Sequence, residues 1–520
     1  MADPRIEKQN TGRQSEGCDH EEHFSPFTAT SWRAGLALLL GPYIRTRSYT
    51  HLVRIFTVNL YHIIVPSFLQ PPSDKAAAES HRPDVGSINT EWLDGLRGVA
   101  AFCVCISHFS SHGHPGIRWG YGADKDRHSF FELPIIRLIV AGRAMVCLFF
   151  VISGYALAFS TLKSIHRHDF DGLHRRLPSS VFRRAIRLTV PSFASSFTVY
   201  LAQRLGLVVR PGHASSFWKD TRALLAEFDF NMNLFDWEDH HGKAFYGTYL
   251  WTIPVELRAS FILFVTVLGL SRTRASVRIV TLAGLFVYCM SKTRWDIALF
   301  MAGILIADCS LISHSVYSAL EESELPGGDR RRTSSPMWYT LRQKPNTRLL
   351  CTLGWVFVLV AGLWIASYPI HGAKTSPFWK CFYTNGPDGK EFQTRFWPSL
   401  GAVMIVAAIS QMPPCQAVLE TEPVLYLGRI SYALYLYHGL VRMIIGVPLA
   451  DFLWATFGKK DFLVREGLWF ISFVIAMAIT IWVSDIAWRL VDIPSVRLAR
   501  WVETKCSLSI EEKRLPRRIE

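Results

Sequence analysis

Residues 93–108 read LDGLRGVAAFCVCISH, an apolar run that carries an arginine near its start and a histidine at its end. An ionisable side chain in or beside an apolar helix is costly, so both residues are candidate functional residues. Arg97 and His108 are 11 positions apart. On a helix this is about three turns, which places both side chains on one face, about 16 Å apart along the axis. The spacing suggests a phosphate-bearing donor held at Arg97, with its reactive end at His108.

The composition favours a polytopic membrane protein. Of the 520 residues, 50% are hydrophobic and only 19% are charged, and the apolar residues are gathered in long blocks. The formal net charge of +14 lies mostly in loops and tails, which the positive-inside rule explains without nucleic acid as a partner. The ten cysteines include no Cys-x-x-Cys pair, and we expect neither a disulfide framework nor a metal site.

Four regions follow from the pattern of polar and apolar residues. Residues 1–31 are polar and are expected to form a disordered cytoplasmic N-terminus. Residues 32–90 mix short apolar stretches with arginines and end in a polar linker, which is typical of an interfacial amphipathic segment. The apolar spans occupy residues 91–496, and residues 497–520 form a basic cytoplasmic tail.

We expect an all-α transmembrane bundle of about ten helices, judged against a span length of about 20 residues. The arginine-rich loops and the basic tail fall on one side in this arrangement, which is then cytoplasmic, as are both termini. The sequence contains no internal repeat. The predicted spans are 95–111, 134–160, 187–207, 247–270, 276–291, 295–312, 349–367, 395–412, 424–446 and 466–491.

A pair of arginines marks the cytoplasmic start of the third span. Arg184 and Arg187, in the run FRRAIRLTVP, are three positions apart and neighbours on one helix face. Arginine forks match the oxygens of a phosphate group. The alternative is that these charges only set the topology beside lipid headgroups.

A single carboxylate stands in the fourth predicted span. Glu256, in the run LWTIPVELR, is about ten residues into that span, and near mid-membrane a carboxylate needs a partner. It would orient His108 or His438, hold a proton, or bind an acceptor hydroxyl. The alternative is a structural ion pair with an arginine such as Arg143 or Arg258.

The ninth predicted span carries a polar stripe in the run SYALYLYH. Ser431, Tyr435 and His438 lie at positions i, i+4 and i+7, so they share one helix face. Such a stripe is expected to face the bundle interior, where hydrogen bonding between helices is the alternative to a catalytic role. His108 is expected deep in the bundle toward the far leaflet, as a neutral general base or as a core histidine bonded to a carbonyl.

Together these segments resemble the acyltransferase-3 family of integral-membrane acyltransferases, in its fungal form. They occur in the order found in the family and cover about residues 90–500. One departure is Asp492-Ile493-Pro494, where family members usually have Glu-x-Pro. The matching segments are Arg97-x10-His108, FFVISGY at 149–155, Arg184-x2-Arg187, residues 250–256 and residues 431–438.

The resemblance implies transfer of an acyl group, expected to be acetyl, from acyl-CoA to a hydroxyl of a small molecule such as a fungal secondary metabolite. Acetyl-CoA is then a co-substrate, and no permanently bound cofactor is expected. His108 takes the place of the essential histidine of the family. The arginines that take the places of donor-binding residues are Arg97, Arg184 and Arg187. The further candidates are Glu256 and His438 for catalysis, and Ser153, Ser431 and Tyr435 for the acceptor.

The sequence leaves several alternatives open. Transfer is either direct or through an acyl-histidine intermediate. The acceptor, the acyl chain length and the oligomeric state are undetermined, and the expected location is the endoplasmic reticulum, another endomembrane or the plasma membrane. A polytopic transporter or flippase that uses the intramembrane charges as a relay is the competing function, although it lacks the expected internal repeat. A catalytically inactive membrane scaffold is a third.

Overall fold

The computed structural model describes residue 61 and residues 63–70, 89–209, 216–237, 245–247, 249–324, 345–384 and 389–507. The predictions for the N-terminal region therefore lie almost entirely outside the described residues. The same holds for most of the arginine-rich loop at 330–348 and for the tail beyond residue 507.

Every long regular element in the described ranges is helical, which confirms the all-α prediction. Short 3-10 turns and two π-helical turns, Arg442–Gly446 and Trp488–Asp492, connect some of the helices. The α-helices are α1 Glu91–Gly113, α2 Gly142–His166, α3 Phe170–Arg204, α4 Phe217–Asn231, α5 Thr252–Gly269, α6 Ala275–Ser291, α7 Trp295–Glu324, α8 Pro345–Ala366, α9 Gly389–Ser410, α10 Pro413–Leu419, α11 Glu422–Val441, α12 Val447–Phe457, α13 Phe462–Ala487 and α14 Ile493–Cys506.

The described residues contain 7 helical segments that are long and apolar enough to cross a membrane, as expected of a membrane protein. The remaining three predicted spans fall on α1, α3 and α6, which are helical but too polar or too short to meet the same standard. The total of about ten therefore stays a prediction. The seven segments are Gly142–His166, Thr252–Gly269, Trp295–His314, Leu349–Ala366, Phe392–Ser410, Glu422–Phe457 and Phe462–Cys506.

Two predicted span boundaries were wrong. The second span was placed at 134–160, but the chain forms a 3-10 turn at Ile136–Val140 and α2 begins only at Gly142. Ile135 lies in the left-handed region with φ of 67°, which interrupts any helix there. The fourth span was placed at 247–270, whereas α5 begins at Thr252. Apolar residues that precede a helix in a buried turn gave the same hydrophobic signal as the helix itself.

Helices α1 and α11 run parallel and approach closely through glycines. A Cβ on Gly98 would collide with the backbone nitrogen of Gly428, and a Cβ on Gly428 would collide with the carbonyl oxygen of Asp94. Small residues at such contacts let two membrane helices pack backbone against backbone. The close approach brings the polar positions of α1 against those of α11.

Replacement of Gly98 with alanine is expected to destabilise the protein, because the added methyl group has only backbone to displace. Overpacking of this kind costs about 1–3 kcal/mol. The melting temperature of the protein in detergent measures the effect. Gly284→Ala is the matched control, because no heavy atom lies within 4 Å of a Cβ built there on α6. Equal melting temperatures for the two variants would contradict the close packing of α1 on α11.

A short N-terminal segment docks between α11 and α13. The fully buried carboxylate of Asp485 accepts hydrogen bonds from the Ser67 backbone nitrogen at 3.0 Å and from the Tyr426 hydroxyl at 3.1 Å. It also pairs with Arg489 at 2.6 Å. These contacts anchor residues 65–70 on the bundle beside the π-helical turn Trp488–Asp492.

Candidate active site

Two histidines meet where α1 and α11 pack together. The ring centroids of His108 and His438 are 5.1 Å apart. His438 is completely buried, and its Nδ1 lies 2.6 Å from the carbonyl oxygen of Tyr435. Since a carbonyl only accepts, we assign the proton to Nδ1, which leaves a lone pair on Nε2. That nitrogen has no hydrogen-bond partner among the described residues. The site therefore holds a basic ring nitrogen beside His108.

Tyr249 and Arg442 complete this histidine pair. The Tyr249 ring lies 4.7 Å from the His108 ring and 4.5 Å from the His438 ring. Gly439 makes room for it, because a Cβ there would collide with the tyrosine ring. Arg442 Nε donates to the His108 carbonyl oxygen at 2.9 Å, and the Arg442 guanidinium interacts electrostatically with the Tyr249 hydroxyl.

Neither of these two residues was predicted from the sequence. Arg442 lies four positions after His438 and so continues the polar stripe by one turn, a spacing that marks it in the sequence. Tyr249 lies in a non-helical turn just before α5, where no periodic pattern marks a residue as inward-facing.

The other end of the site begins at Arg97. Its Nε donates to the Ser431 hydroxyl at 3.0 Å, and Ser431 in turn donates to the Gly428 carbonyl at 2.7 Å. The Nη2 atom of Arg97 lies 2.7 Å from the Asp94 carboxylate. The Arg97 side chain is 35% exposed and that of Asp94 is 54% exposed, so the pair is open to solvent.

Arg184 forms an ion pair with Glu256 across α3 and α5. Its Nη2 lies 2.5 Å from Glu256 Oε1, and the two side chains are only 13% and 18% exposed. Ser153 on α2 donates to the same carboxylate oxygen at 2.9 Å. Glu256 lies in the second turn of α5 rather than ten residues into a span. Its hydrogen bonds among the described residues go to this arginine and serine, not to a histidine.

The two arginines suggested as structural partners of Glu256 lie elsewhere. Arg258 pairs with Asp296 at 3.2 Å, and Arg143 Nη1 donates to Thr394 Oγ1 at 2.5 Å. The sequence indicates an ion pair as one alternative for Glu256, but it does not identify Arg184 as the partner. The partner depends on how α3 packs against α5.

Asp492 lies near two of the candidate donor-binding arginines. The carboxylate interacts electrostatically with Arg187 and Arg97. Its Oδ1 is buried and has no hydrogen-bond partner among the described residues. Tyr432 lies near both Asp492 and the Arg184–Glu256 ion pair. It interacts electrostatically with all three residues. We call Arg97, Arg184 and Arg187, with Glu256 and Asp492, the arginine cluster. Arg187 is exposed, so the cluster opens to the outside of the bundle.

The parallel helices α1 and α11 join the arginine cluster to the histidine pair. Arg97 and His108 are both on α1, about 16 Å apart along its axis at 1.5 Å per residue. Between them Tyr435 donates to the Tyr249 carbonyl at 2.9 Å and contacts Thr252 Oγ1 at 2.8 Å. The polar stripe of α11 faces the interior as predicted, because Ser431, Tyr435 and His438 are all buried.

Other histidines lie just beyond the site, His112 in the last turn of α1 and His114 directly after it. His112 Nε2 is 3.0 Å from Asp451, and His114 Nε2 is 2.6 Å from Glu466. No group of three metal-ligating side chains occurs within the described ranges. His240 and His241 lie outside them.

The described helices thus hold a histidine pair, of which His438 is buried, and an arginine cluster, joined by two parallel helices. The acyltransferase domain model matches residues 90–489, and the chain belongs to the acyltransferase-3 family. This confirms the resemblance seen in the sequence, and the protein is an acyltransferase.

Curated relatives are fungal acyltransferases. The chain is 28% identical over 429 residues to acyltransferase clz18 of Cochliobolus lunatus, covering 72% of this chain and 87% of the relative. It is 28% identical over 478 residues to O-acetyltransferase PaAT-1 of Phomopsis amygdali, covering 84% and 88%. It is 26% identical over 428 residues to acyltransferase R4 of a Phoma species, covering 72% and 87%. No solved structure matches the chain significantly.

Proposed function

We propose that this protein transfers an acetyl group from acetyl-CoA to a hydroxyl of a small molecule, with His108 as the general base. The observation that carries the proposal is that one helix, α1, presents Arg97 to the arginine cluster and His108 to the histidine pair. A donor with phosphates at one end and a thioester at the other fits such a site.

The arginine cluster supports binding of the donor phosphates. Arginine forks form two parallel hydrogen bonds with phosphate oxygens, and such charge-assisted bonds are stronger than neutral ones. The Arg97–Asp94 pair is partly exposed, and exposed pairs contribute only about 0–1 kcal/mol. A phosphate group can therefore replace Asp94 at little cost. The pantetheine arm would then extend over about 16 Å between Arg97 and His108.

The histidine pair supports the chemistry. The acceptor oxygen attacks the thioester carbonyl carbon, its proton passes to an imidazole nitrogen of His108, and the carbonyl electron pair moves onto oxygen. The C–S bond then breaks, and the departing thiolate takes the proton from His108. General-base catalysis of this kind contributes about 10²–10⁴-fold in rate. His438, fixed by its hydrogen bond to Tyr435, supports His108 in this step.

A hydroxyl acceptor is inferred from one relative. PaAT-1 is described as an O-acetyltransferase, and the chain covers 88% of its length. Ser153, Ser431 and Tyr435 stay candidate acceptor contacts, although their hydroxyls are engaged with Glu256, Arg97 and Thr252.

Release of free CoA from radiolabelled acetyl-CoA by the full-length protein in detergent tests the proposal. We expect saturable donor binding and slow hydrolysis without acceptor, with faster CoA release when a hydroxyl acceptor is added. The absence of binding to acetyl-CoA and to longer acyl-CoA species would overturn it. Substrate counterflow into proteoliposomes without acylation would instead establish a transporter.

A further inference from the structure

Two hydrogen-bond donors beside the histidine pair have no role in the proposed function, on which this inference rests. They are the Tyr249 hydroxyl and the Arg442 guanidinium. The Tyr249 ring contacts both histidine rings, at centroid distances of 4.7 and 4.5 Å. Arg442 is held in place because its Nε donates to the carbonyl oxygen of His108 at 2.9 Å. The π-helical turn Arg442–Gly446 that follows α11 positions this side chain.

The charge of Arg442 has no counterion in the described part of the chain. Four other arginines of the bundle pair with carboxylates: Arg184 with Glu256 at 2.5 Å, Arg258 with Asp296 at 3.2 Å, Arg278 with Asp308 at 2.7 Å and Arg489 with Asp485 at 2.6 Å. Arg442, like the buried Arg137, instead donates to a carbonyl oxygen, and it lies beside the Tyr249 phenol. An unneutralised cation beside a catalytic base is suited to an anion that forms only during the reaction.

The hydroxyl of Tyr249 is arranged as a donor to the same anion. The Arg442 guanidinium interacts electrostatically with it, and no described residue accepts its proton. A phenol beside a cation is a stronger hydrogen-bond donor, because the cation polarises its O–H bond. Its ring packs against both histidine rings, at centroid distances of 4.7 and 4.5 Å, which holds the hydroxyl beside the histidine pair.

We propose that Arg442 and Tyr249 form the oxyanion site of this enzyme. The thioester carbonyl oxygen lies against the Tyr249 hydroxyl and the Arg442 guanidinium while His108 takes the proton of the acceptor. The electron pair that moves onto this oxygen when the new C–O bond forms is stabilised by both donors. It returns to the carbonyl when the C–S bond breaks, so neither residue gains or loses a proton.

A purely structural role is the competing account of these residues. The bond from Arg442 Nε to the His108 carbonyl ties the turn after α11 to the last part of α1. Tyr249→Phe separates the two accounts, because it removes only the hydroxyl and leaves the ring packed against both histidines. Tyr437→Phe is the matched control, since Tyr437 is a buried tyrosine of α11 whose hydroxyl interacts with Thr198 and not with Arg442.

The test uses full-length protein in detergent and follows both CoA release from acetyl-CoA and the Kd for CoA. Removal of one oxyanion donor typically lowers kcat by about 10²–10³-fold, and we expect this for Tyr249→Phe with an unchanged Kd. Tyr437→Phe is expected to retain wild-type kcat. Arg442→Lys, which keeps the charge but loses the fork, is expected to lower kcat to a smaller extent.

An acetyl-dithioester analogue of the donor provides a readout that a structural role would not change. Its thiocarbonyl sulfur is a weaker hydrogen-bond acceptor than oxygen, so the wild type should prefer acetyl-CoA strongly and Tyr249→Phe should lose this preference. Full kcat in Tyr249→Phe, or a lower kcat with the preference intact, would overturn the oxyanion assignment. A wild type without any donor turnover would overturn the proposed function itself.

Discussion

Replacement of His108 with alanine is expected to lower the rate of CoA release by about 10²–10⁴-fold, the usual contribution of a positioned general base. The Kd for CoA is expected to stay near the wild-type value, because the phosphates are proposed to bind at the arginine cluster about 16 Å away along α1. Steady-state turnover and equilibrium binding of radiolabelled CoA, measured on the same preparation, separate the two effects.

His112→Ala is the matched control for this variant. His112 lies one turn further along α1, where it pairs with Asp451 at 3.0 Å and stacks on Trp454 with a centroid distance of 6.0 Å. The His112→Ala variant loses the contacts with Asp451 and Trp454, but the histidine pair stays intact. We expect wild-type turnover for His112→Ala. Full turnover in His108→Ala would show that this residue is not the base.

Replacement of Arg184 with alanine is expected to raise the Kd for CoA by about 10–100-fold. A hydrogen bond to a charged group contributes about 1.5–3 kcal/mol, and each 1.4 kcal/mol corresponds to a factor of ten. The value of kcat at saturating donor is expected to change little, because Arg184 is distant from the histidine pair in the proposed site. Binding isotherms and initial rates over a range of donor concentrations measure both quantities.

A second variant separates donor binding from structural support. Arg184→Ala alone leaves the carboxylate of Glu256 largely buried without its cation, which also lowers stability. In the double variant Arg184→Ala with Glu256→Gln, the unpaired charge is gone, and we expect the melting temperature to recover while the Kd stays high. Recovery of both properties would mean that Arg184 serves only the structure.

Features that depend on one helix could be predicted from the sequence. The spacing of Ser431, Tyr435 and His438 follows from helix geometry alone, and all three are buried as expected. The same holds for Arg97 and His108, whose separation along α1 does not depend on other elements. Arg97 and His108 contact α11 in the folded chain, and the sequence alone does not show this contact.

Features that depend on packing between helices could not be predicted in the same way. The partner of Glu256 is Arg184, because α3 begins at Phe170, well before the predicted span at 187–207, and brings this arginine to α5. The start of α5 at Thr252, with Pro254 in its first turn, moved Glu256 closer to the helix terminus. Tyr249 reaches the histidines from a turn, and only the folded chain reveals that contact.

The position of a bound donor tests the central claim most directly. The measurement is an experimental structure of the full-length protein with a thioether analogue of acetyl-CoA, which cannot transfer its acyl group. Our account predicts phosphate oxygens within hydrogen-bond distance, about 3 Å, of Arg184 and Arg187. It also predicts the acyl end of the analogue between His108 and Tyr249. A donor bound elsewhere, with its acyl group away from the histidine pair, would contradict the account.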